Sequence, residues 1–185
     1  NRFAEEILTD SPERLRAMVI DSSNPANTAA NSIATENALK ALQLLVVVDV
    51  ALTETATFAD YVLPAASQYE KWEFTYFTYS FPKNYFHLRP PLMEPLEGTR
   101  VEGDIYTGLA RQMGLLPDES VLENLRDLAA TDRAAFAAGF QELLRENSIY
   151  GSIAPLILYL TIGKSLTNGA ASAAILWPAC HSTAA

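Results

Sequence analysis

Two aliphatic runs flank a stretch with helical periodicity, and this order dictates the kind of sheet that the chain can form. Residues 15–21 (LRAMVID) form a short apolar run that ends in a polar turn, and residues 44–48 (LLVVV) form a second, continuous run. Between them, residues 32–43 place mostly apolar side chains at helical spacing. A continuous aliphatic run is typical of a strand in a parallel sheet that is covered on both faces. The pattern therefore predicts a βαβ unit with a right-handed crossover, in an α/β fold.

The sheet is predicted to continue and then to give way to an irregular aromatic segment. Residues 61–63, closed by Pro64, favour a short third strand. Residues 73–86 carry clustered aromatic side chains that alternate only in part, which indicates an extended segment with strand-like pieces. The prolines of residues 82–95 then favour a loop.

The chain from residue 103 onward is predicted to be helical. A first helix is expected to end at Gly114. Ser120 with Glu123 fits a capping box for the next helix, and Thr131 fits the N-cap of a third. The apolar residues 153–162 indicate a buried helix that is too short to span a membrane.

These elements suggest two parts. We predict a doubly wound, mostly parallel α/β domain, incomplete in this chain, over residues 1–116. An all-helical C-terminal segment is predicted over residues 117–185, ending in an Ala-rich helix over residues 170–178.

Charge and cysteine content exclude several classes of protein. The chain has 13 Lys and Arg against 22 Asp and Glu, a net charge of -9, which disfavours nucleic acid as a partner. A single cysteine, Cys180, excludes an internal disulfide and any thiolate cage built from this chain alone. The sequence opens on Asn1 rather than methionine, from which we expect an excerpt of a longer protein.

Common catalytic motifs are absent from the sequence. His87 and His181 have no neighbouring ligands at metal-binding spacing, so no catalytic residue and no metal ligand is predicted. No G-x-S-x-G, G-x-x-x-x-G-K-[ST] or G-x-G-x-x-G sequence is present, which disfavours hydrolases of that type, P-loop enzymes and nicotinamide-binding Rossmann domains.

Polar residues follow the first two predicted strands. Ser22, Ser23, Asn24 and Asn27 come after the first strand, and Asp49 comes after the second. Ligands of open α/β sheets bind beyond the carboxyl ends of the strands, so these residues are candidates for one binding crevice. A purely structural interpretation stands beside it, in which Asp49 caps a loop and Asn24 forms an Asx-turn.

Three segments in consistent order carry a family resemblance. They are residues 18–31 (MVIDSSNPANTAAN), residues 44–73 (LLVVVDVALTETATFADYVLPAASQYEKWE) and residues 96–116 (LEGTRVEGDIYTGLARQMGLL). Residues 44–73 resemble part of the third domain of the molybdopterin oxidoreductases of the dimethyl-sulfoxide-reductase superfamily. Residues 18–31 look like that family's strand and Asn-Pro turn, and residues 96–116 are similar to its later loop and helix.

The resemblance implies a Mo-bis(molybdopterin guanine dinucleotide) cofactor and assigns roles to six residues. Asn24 and Pro25 would line the dinucleotide, and Val48 and Asp49 would meet the guanine. Lys71 would approach a phosphate or the pterin. The sixth residue, Asp104, would complete the nucleotide pocket.

The resemblance also implies what other parts of the parent protein would supply. A [4Fe-4S] cluster, the molybdenum ligand and the remaining domains would lie outside this chain, and an electron-transfer subunit is an expected partner. The intact bacterial parent would be a molybdopterin-dependent oxidoreductase, while this chain alone would be inactive. Both a cytoplasmic and a periplasmic location fit the sequence.

Two other functions remain open at the level of sequence. The helical segment could form a noncatalytic interaction module that docks a partner through Phe136, Phe140, Leu156, Leu158 and Trp177. A flavodoxin-like nucleotide-binding domain would also fit an α/β pattern.

Overall fold

The computed structural model describes residues 2–75, 82–83, 87–166 and 170–178. Much of the predicted aromatic segment, together with Cys180 and His181, lies outside the described residues. The chain divides into two compact units. Unit 1 comprises Asn1–Ser67 and Leu96–Glu102, and unit 2 comprises Gln68–Pro95 and Gly103–Ala185.

Unit 1 is built on a parallel sheet of three strands. The strands β1 (Ala17–Asp21), β2 (Leu44–Asp49) and β3 (Tyr61–Pro64) lie in the order β1-β2-β3. In register, Val19 lies opposite Val46, which lies opposite Tyr61. The helices are α1 (Phe3–Leu8), α2 (Pro25–Thr28) and α3 (Ser32–Ala41), and a 3-10 turn spans Ala56–Phe58. The predicted parallel α/β fold is therefore confirmed.

Helix α3 forms the crossover between β1 and β2 and covers one face of the sheet. Asn31 caps it by accepting a hydrogen bond from the Ala34 amide at 3.0 Å. Leu39 packs with Leu45 and Val47 in the core of the unit. These aliphatic contacts supply most of the favourable free energy of such a layer.

The other face of the sheet is only partly covered. Val48 is buried there, whereas Val19 and Tyr61 are 56% and 63% exposed. The predicted burial of β2 on both faces is thus complete only near the carboxyl end of the strand.

A segment later in the chain, at Arg100, pairs with the outer side of β3 at one edge of the sheet. The Ala66 amide donates to the Arg100 carbonyl at 2.9 Å, and the Arg100 amide donates to the Pro64 carbonyl at 3.0 Å. Ala65 and Arg100 form a parallel bridge. Arg100 therefore pairs beside β3 although the whole segment Gln68–Pro95, which belongs to unit 2, separates the two in sequence.

Unit 2 is mostly helical, as predicted. A small antiparallel pair joins β4 (Glu73–Thr75) and β5 (His87–Arg89). The helices are α4 (Glu102–Gln112), α5 (Glu119–Thr131), α6 (Arg133–Glu146), α7 (Ser148–Ser152) and α8 (Ala154–Leu160), with 3-10 turns at Ile162–Ser165 and Ala171–Leu176. The apolar sides of these helices form one core, in which the Phe136 ring stacks on Phe140 at 5.9 Å and meets the edge of Trp177 at 5.6 Å.

The helix starts and the last helix differ from the sequence expectations. Helix α5 begins at Glu119, so Ser120 lies inside it rather than at its N-cap. Asp132, not Thr131, caps α6, because its carboxylate accepts from two backbone amides at 3.0 Å each. The Ala-rich stretch forms 3-10 turns, since so short a segment gains little from the cooperativity that stabilises α-helices. Within the described residues, every helix is too short or too polar to cross a membrane.

Candidate functional site

The carboxyl ends of the three parallel strands lie at one edge of unit 1. Asp21 at the end of β1 pairs with Val48 of β2, and Asp49 pairs with Pro64 at the end of β3. Ser22 prolongs the first pairing, because its amide donates to the Val48 carbonyl at 2.9 Å. The loops after β1 and β2 therefore leave the sheet side by side.

Ser22 turns the chain at this edge in an unusual backbone conformation. Its φ of 51° lies in the left-handed region, which costs a residue with a Cβ more than it costs glycine. The Ser22 hydroxyl donates to Asp21 Oδ1 at 2.8 Å. The next residues, Ser23 and Asn24, then lead into α2.

The side chain of Asn24 is held by the loop that follows β2. Asn24 Oδ1 accepts from the Thr55 amide at 3.1 Å and from the Thr55 hydroxyl at 2.8 Å. Asn24 Nδ2 donates to Glu54 Oε2 at 2.6 Å. The side chain thus bridges two loops instead of forming a local Asx-turn, and Pro25 begins α2 directly after it.

Asp49 ends β2 with part of its carboxylate available. Its Oδ1 accepts from the Ala51 amide at 3.3 Å, the local loop-capping contact that the structural interpretation expected. Its Oδ2 has no hydrogen-bond partner in the part of the chain that the structure describes. Val48 is fully buried beside it, so that residue can reach a ligand only through its backbone.

Four of the six predicted site residues therefore lie at one edge of the sheet. Asn24 and Pro25 follow β1, and Val48 and Asp49 end β2. The other two belong to unit 2, where each has a partner of its own.

Lys71 is buried beside an acidic partner. Its side chain is 8% exposed, and its ammonium lies 3.6 Å from Glu73 Oε1. The other carboxylate oxygen of Glu73 accepts from Arg89 at 2.8 Å. Glu73 therefore balances two cations, and a phosphate would have to compete with it for Lys71.

Asp104 lies near the start of α4 and is engaged by α8. Its Oδ1 accepts a hydrogen bond from the Tyr159 hydroxyl at 2.9 Å. The Tyr159 ring lies where a side chain at Gly103 would be, and Lys164 stands 4.9 Å from the ring centroid. Asp104 is thus a packing partner within unit 2 as well as a predicted nucleotide contact.

Hydrogen bonds stabilise the ionised form of Glu54 at this edge of unit 1. The bond from Asn24, followed by a backbone bond, lowers the pKa of Glu54 below its ordinary value. Glu54 is therefore ionised over a wider pH range than a free glutamate. Among the described residues, no three His, Cys, Asp or Glu side chains gather as a metal site would require.

Glu54 and Thr55 are the residues that sequence reasoning did not assign to the site. Thr53 and Thr55 look alike in the segment L-T-E-T-A, and both fit turn formation. Thr53 does serve the turn, since its hydroxyl accepts from the Ala56 amide at 3.3 Å. The distinct role of Thr55 depends on Asn24, 31 positions earlier, and no local signal reveals that pairing.

The chain matches one protein family over more than half of its length. The family profile described as molybdopterin oxidoreductase matches residues 3–112. The chain is 32% identical over 114 residues to the probable oxidoreductase YoaE of Bacillus subtilis, covering 61% of this chain and 16% of that protein. It is 30% identical over 111 residues to the thiosulfate reductase molybdopterin-containing subunit PhsA of Salmonella typhimurium, covering 60% of this chain and 14% of that subunit.

A solved structure shares the fold. Acetylene hydratase from Pelobacter acetylenicus aligns with a TM-score of 0.53 at 24% identity, over 60% of this chain and 15% of that one. The chain thus spans about one sixth, or less, of the length of the proteins named here.

Proposed function

Because the chain belongs to the molybdopterin oxidoreductase family, we propose that it is part of a molybdenum oxidoreductase and forms one wall of a molybdopterin guanine dinucleotide site. One observation carries the proposal. The loops that bear Asn24, Pro25 and Asp49 leave neighbouring parallel strands at one edge, inside the segment that matches the family.

The guanine end of the dinucleotide suits Asp49. A guanine presents N–H donors on one edge, and an ionised carboxylate accepts such donors strongly. Asp49 Oδ2 is available for this contact, while the bond from Ala51 to Oδ1 fixes the orientation of the carboxylate. The backbones of Val48, Asn24 and Pro25 would line the rest of the nucleotide.

From the family resemblance, we also propose Lys71 and Asp104 as cofactor contacts. Lys71 would meet a phosphate as a point charge, with Glu73 as its competitor. Asp104 would use the carboxylate oxygen that Tyr159 does not occupy.

When bound, the molybdenum and its pterin dithiolenes supply redox or oxygen-atom-transfer chemistry. This chain's residues would hold and orient the nucleotide end. We propose that the molybdenum ligand and a [4Fe-4S] cluster belong to other parts of the parent, since one cysteine falls short of the four thiolates of such a cluster. The remaining domains and an electron-transfer subunit would then be the partners of this chain.

A noncatalytic docking module is less well supported. That function needs exposed apolar helix faces, yet Phe136, Phe140 and Leu158 are each 2% exposed or less. They pack within the core of unit 2, so they are not available to a partner.

Nucleotide binding by the full chain tests the proposal. GDP, ADP and FMN would each be titrated by calorimetry into the wild type, Asp49→Ala and Asp10→Ala. Asp10 is an exposed acidic residue of the same unit and controls for the loss of one charge. We expect GDP to bind more tightly than ADP or FMN, and Asp49→Ala to weaken GDP binding at least about tenfold, as expected for a lost charge-assisted contact.

Two results would overturn the proposal. One is a wild type that does not bind GDP, and the other is equal GDP affinity in wild type and Asp49→Ala. Preferential FMN binding would point instead to a flavodoxin-like domain. In the full-length parent, Asp49→Ala and Lys71→Ala should lower the content of molybdenum and guanine nucleotide.

A further inference from the structure

Thr55 is a fully buried polar residue between the two loops of the candidate site. Its exposed fraction is 0%. Its hydroxyl donates to Asn24 Oδ1 at 2.8 Å and accepts from the Ala26 amide at 3.0 Å. One oxygen therefore satisfies a side chain and a backbone amide of the opposite loop, where an unsatisfied group would carry a desolvation penalty.

The backbone of Thr55 strengthens the same connection. Its amide donates to Asn24 Oδ1 at 3.1 Å, so a single oxygen atom of Asn24 receives two bonds from one residue. Glu54 adds a charged acceptor for Asn24 Nδ2 at 2.6 Å. The loop after β1 and the loop after β2 are thus joined at three polar groups.

The buried and the exposed bonds of this junction contribute unequally. Glu54 is exposed, so solvent weakens its bond to Asn24. Thr55 is shielded from water, and its bonds are correspondingly stronger. The hydroxyl of Thr55 is therefore the buried side-chain group that joins Asn24 and Ala26 to the loop after β2.

We propose that Thr55 is a positioning residue of the dinucleotide site, whose hydroxyl fixes the loop of Asn24 and Pro25 beside Asp49. The inference rests on the proposed nucleotide function. Thr55 itself would not touch the ligand, because its side chain is buried. It would act by holding the loop of Asn24 and Pro25 at the distance from Asp49 that binding of one nucleotide requires.

The chain offers a nearly isosteric variant, a rescue variant and a matched control. Thr55→Val replaces the hydroxyl by a methyl group, which removes one of the two bonds to Asn24 Oδ1 and leaves the Ala26 amide without its acceptor. Thr55→Ser keeps the hydroxyl. Thr57→Val makes the same exchange in the same segment, where the hydroxyl donates only to the nearby Glu54 carbonyl at 2.6 Å.

Hydrogen exchange and GDP titration of the full chain test the inference together. In Thr55→Val we expect the Ala26 amide to exchange at least about tenfold faster, because its acceptor is gone. We expect GDP affinity to fall about tenfold in the same variant. Thr55→Ser should keep both values near those of the wild type, and Thr57→Val should change neither.

The outcomes separate this inference from the function on which it rests. A wild type that does not bind GDP overturns both. A wild type that binds GDP, with unchanged affinity in Thr55→Val, overturns the positioning role alone, even if Ala26 exchanges faster. If GDP affinity falls in Thr55→Ser as much as in Thr55→Val, the positioning role of the hydroxyl is also overturned.

Discussion

The hydroxyl of Tyr159 donates a 2.9 Å hydrogen bond to Asp104 Oδ1 and so ties α8 to the first turns of α4. The two residues are 55 positions apart. The ring reaches the carboxylate by passing over Gly103, where an added Cβ would lie 2.5 Å from Tyr159 Cε2. The contact therefore depends on a hydrogen bond and on the absence of a side chain.

Gly103→Ala should destabilise unit 2. The added methyl group would displace the Tyr159 ring, and such overpacking costs about 1–3 kcal/mol. Gly108→Ala, in the same helix, is the control, because nothing lies within 4 Å of its added Cβ. That variant should gain about 0.5–1 kcal/mol from helix propensity. Urea unfolding measures both, and equal stability of the two variants would contradict the packing argument.

Tyr159→Phe should lower the free energy of unfolding by about 0.5–3 kcal/mol, because it removes a bond to a charged acceptor. A double-mutant cycle with Asp104→Ala isolates the pair. We expect a coupling free energy of about 1 kcal/mol. A coupling near zero would show that Asp104 and Tyr159 do not interact in solution.

Ser22→Gly should stabilise unit 1, by about 0.5–1 kcal/mol. The left-handed backbone at residue 22 costs about 1–2 kcal/mol for a residue with a Cβ. The greater unfolded-state entropy of glycine and the loss of the exposed bond from the Ser22 hydroxyl to Asp21 offset part of the gain. Ser23→Gly is the control, since Ser23 does not share the positive φ. Thermal unfolding should show a higher midpoint for Ser22→Gly and a lower one for Ser23→Gly.

The stability of unit 2 should depend on pH through Glu119. Hydrogen bonds from Arg111 and then from Arg126 lower the pKa of this carboxyl below its ordinary value of 4.5. Its contribution should therefore be complete above that value and should be lost as the pH falls through the lowered pKa. The difference in unfolding free energy between wild type and Glu119→Gln should stay constant near neutrality and shrink in acid.

Glu123→Gln controls for the loss of one negative charge from the same helix. Urea titrations at a series of pH values give both differences. A Glu119→Gln difference that persists unchanged to strongly acidic pH would contradict the assigned role of the two arginines.

Local patterns predicted the sheet because each carries its own physical reason. The continuous aliphatic run at residues 44–48 is typical of a strand in a covered parallel sheet, and residues 32–43 before it have helical spacing. The edge that holds Asn24 and Asp49 followed from strand order alone. Contacts over long separations were not predictable. Neither Asn24 with Thr55 nor Asp104 with Tyr159 has a local signal, since the fold alone brings these residues together.

The exact ends of the helices also could not be predicted from local sequence alone. Thr131 and Asp132 are adjacent and both have side chains that can cap a helix. The structure selects Asp132, and Thr131 bonds instead to the Asp127 carbonyl at 2.7 Å as the last residue of α5. The choice depends on where α5 ends, which residue preference alone does not determine.

The pairing of Arg100 beside β3 has a consequence for biosynthesis. A chain emerging from a ribosome presents β1, β2 and β3 well before Arg100, and the whole segment Gln68–Pro95 must be made in between. Until Arg100 has been synthesised, the Pro64 carbonyl and the Ala66 amide lack the backbone groups of Arg100 with which they pair in the folded chain. A nascent chain arrested before Arg100 should therefore leave the β3 edge of the sheet open to chaperones, and one arrested well beyond Glu102 should have that edge covered.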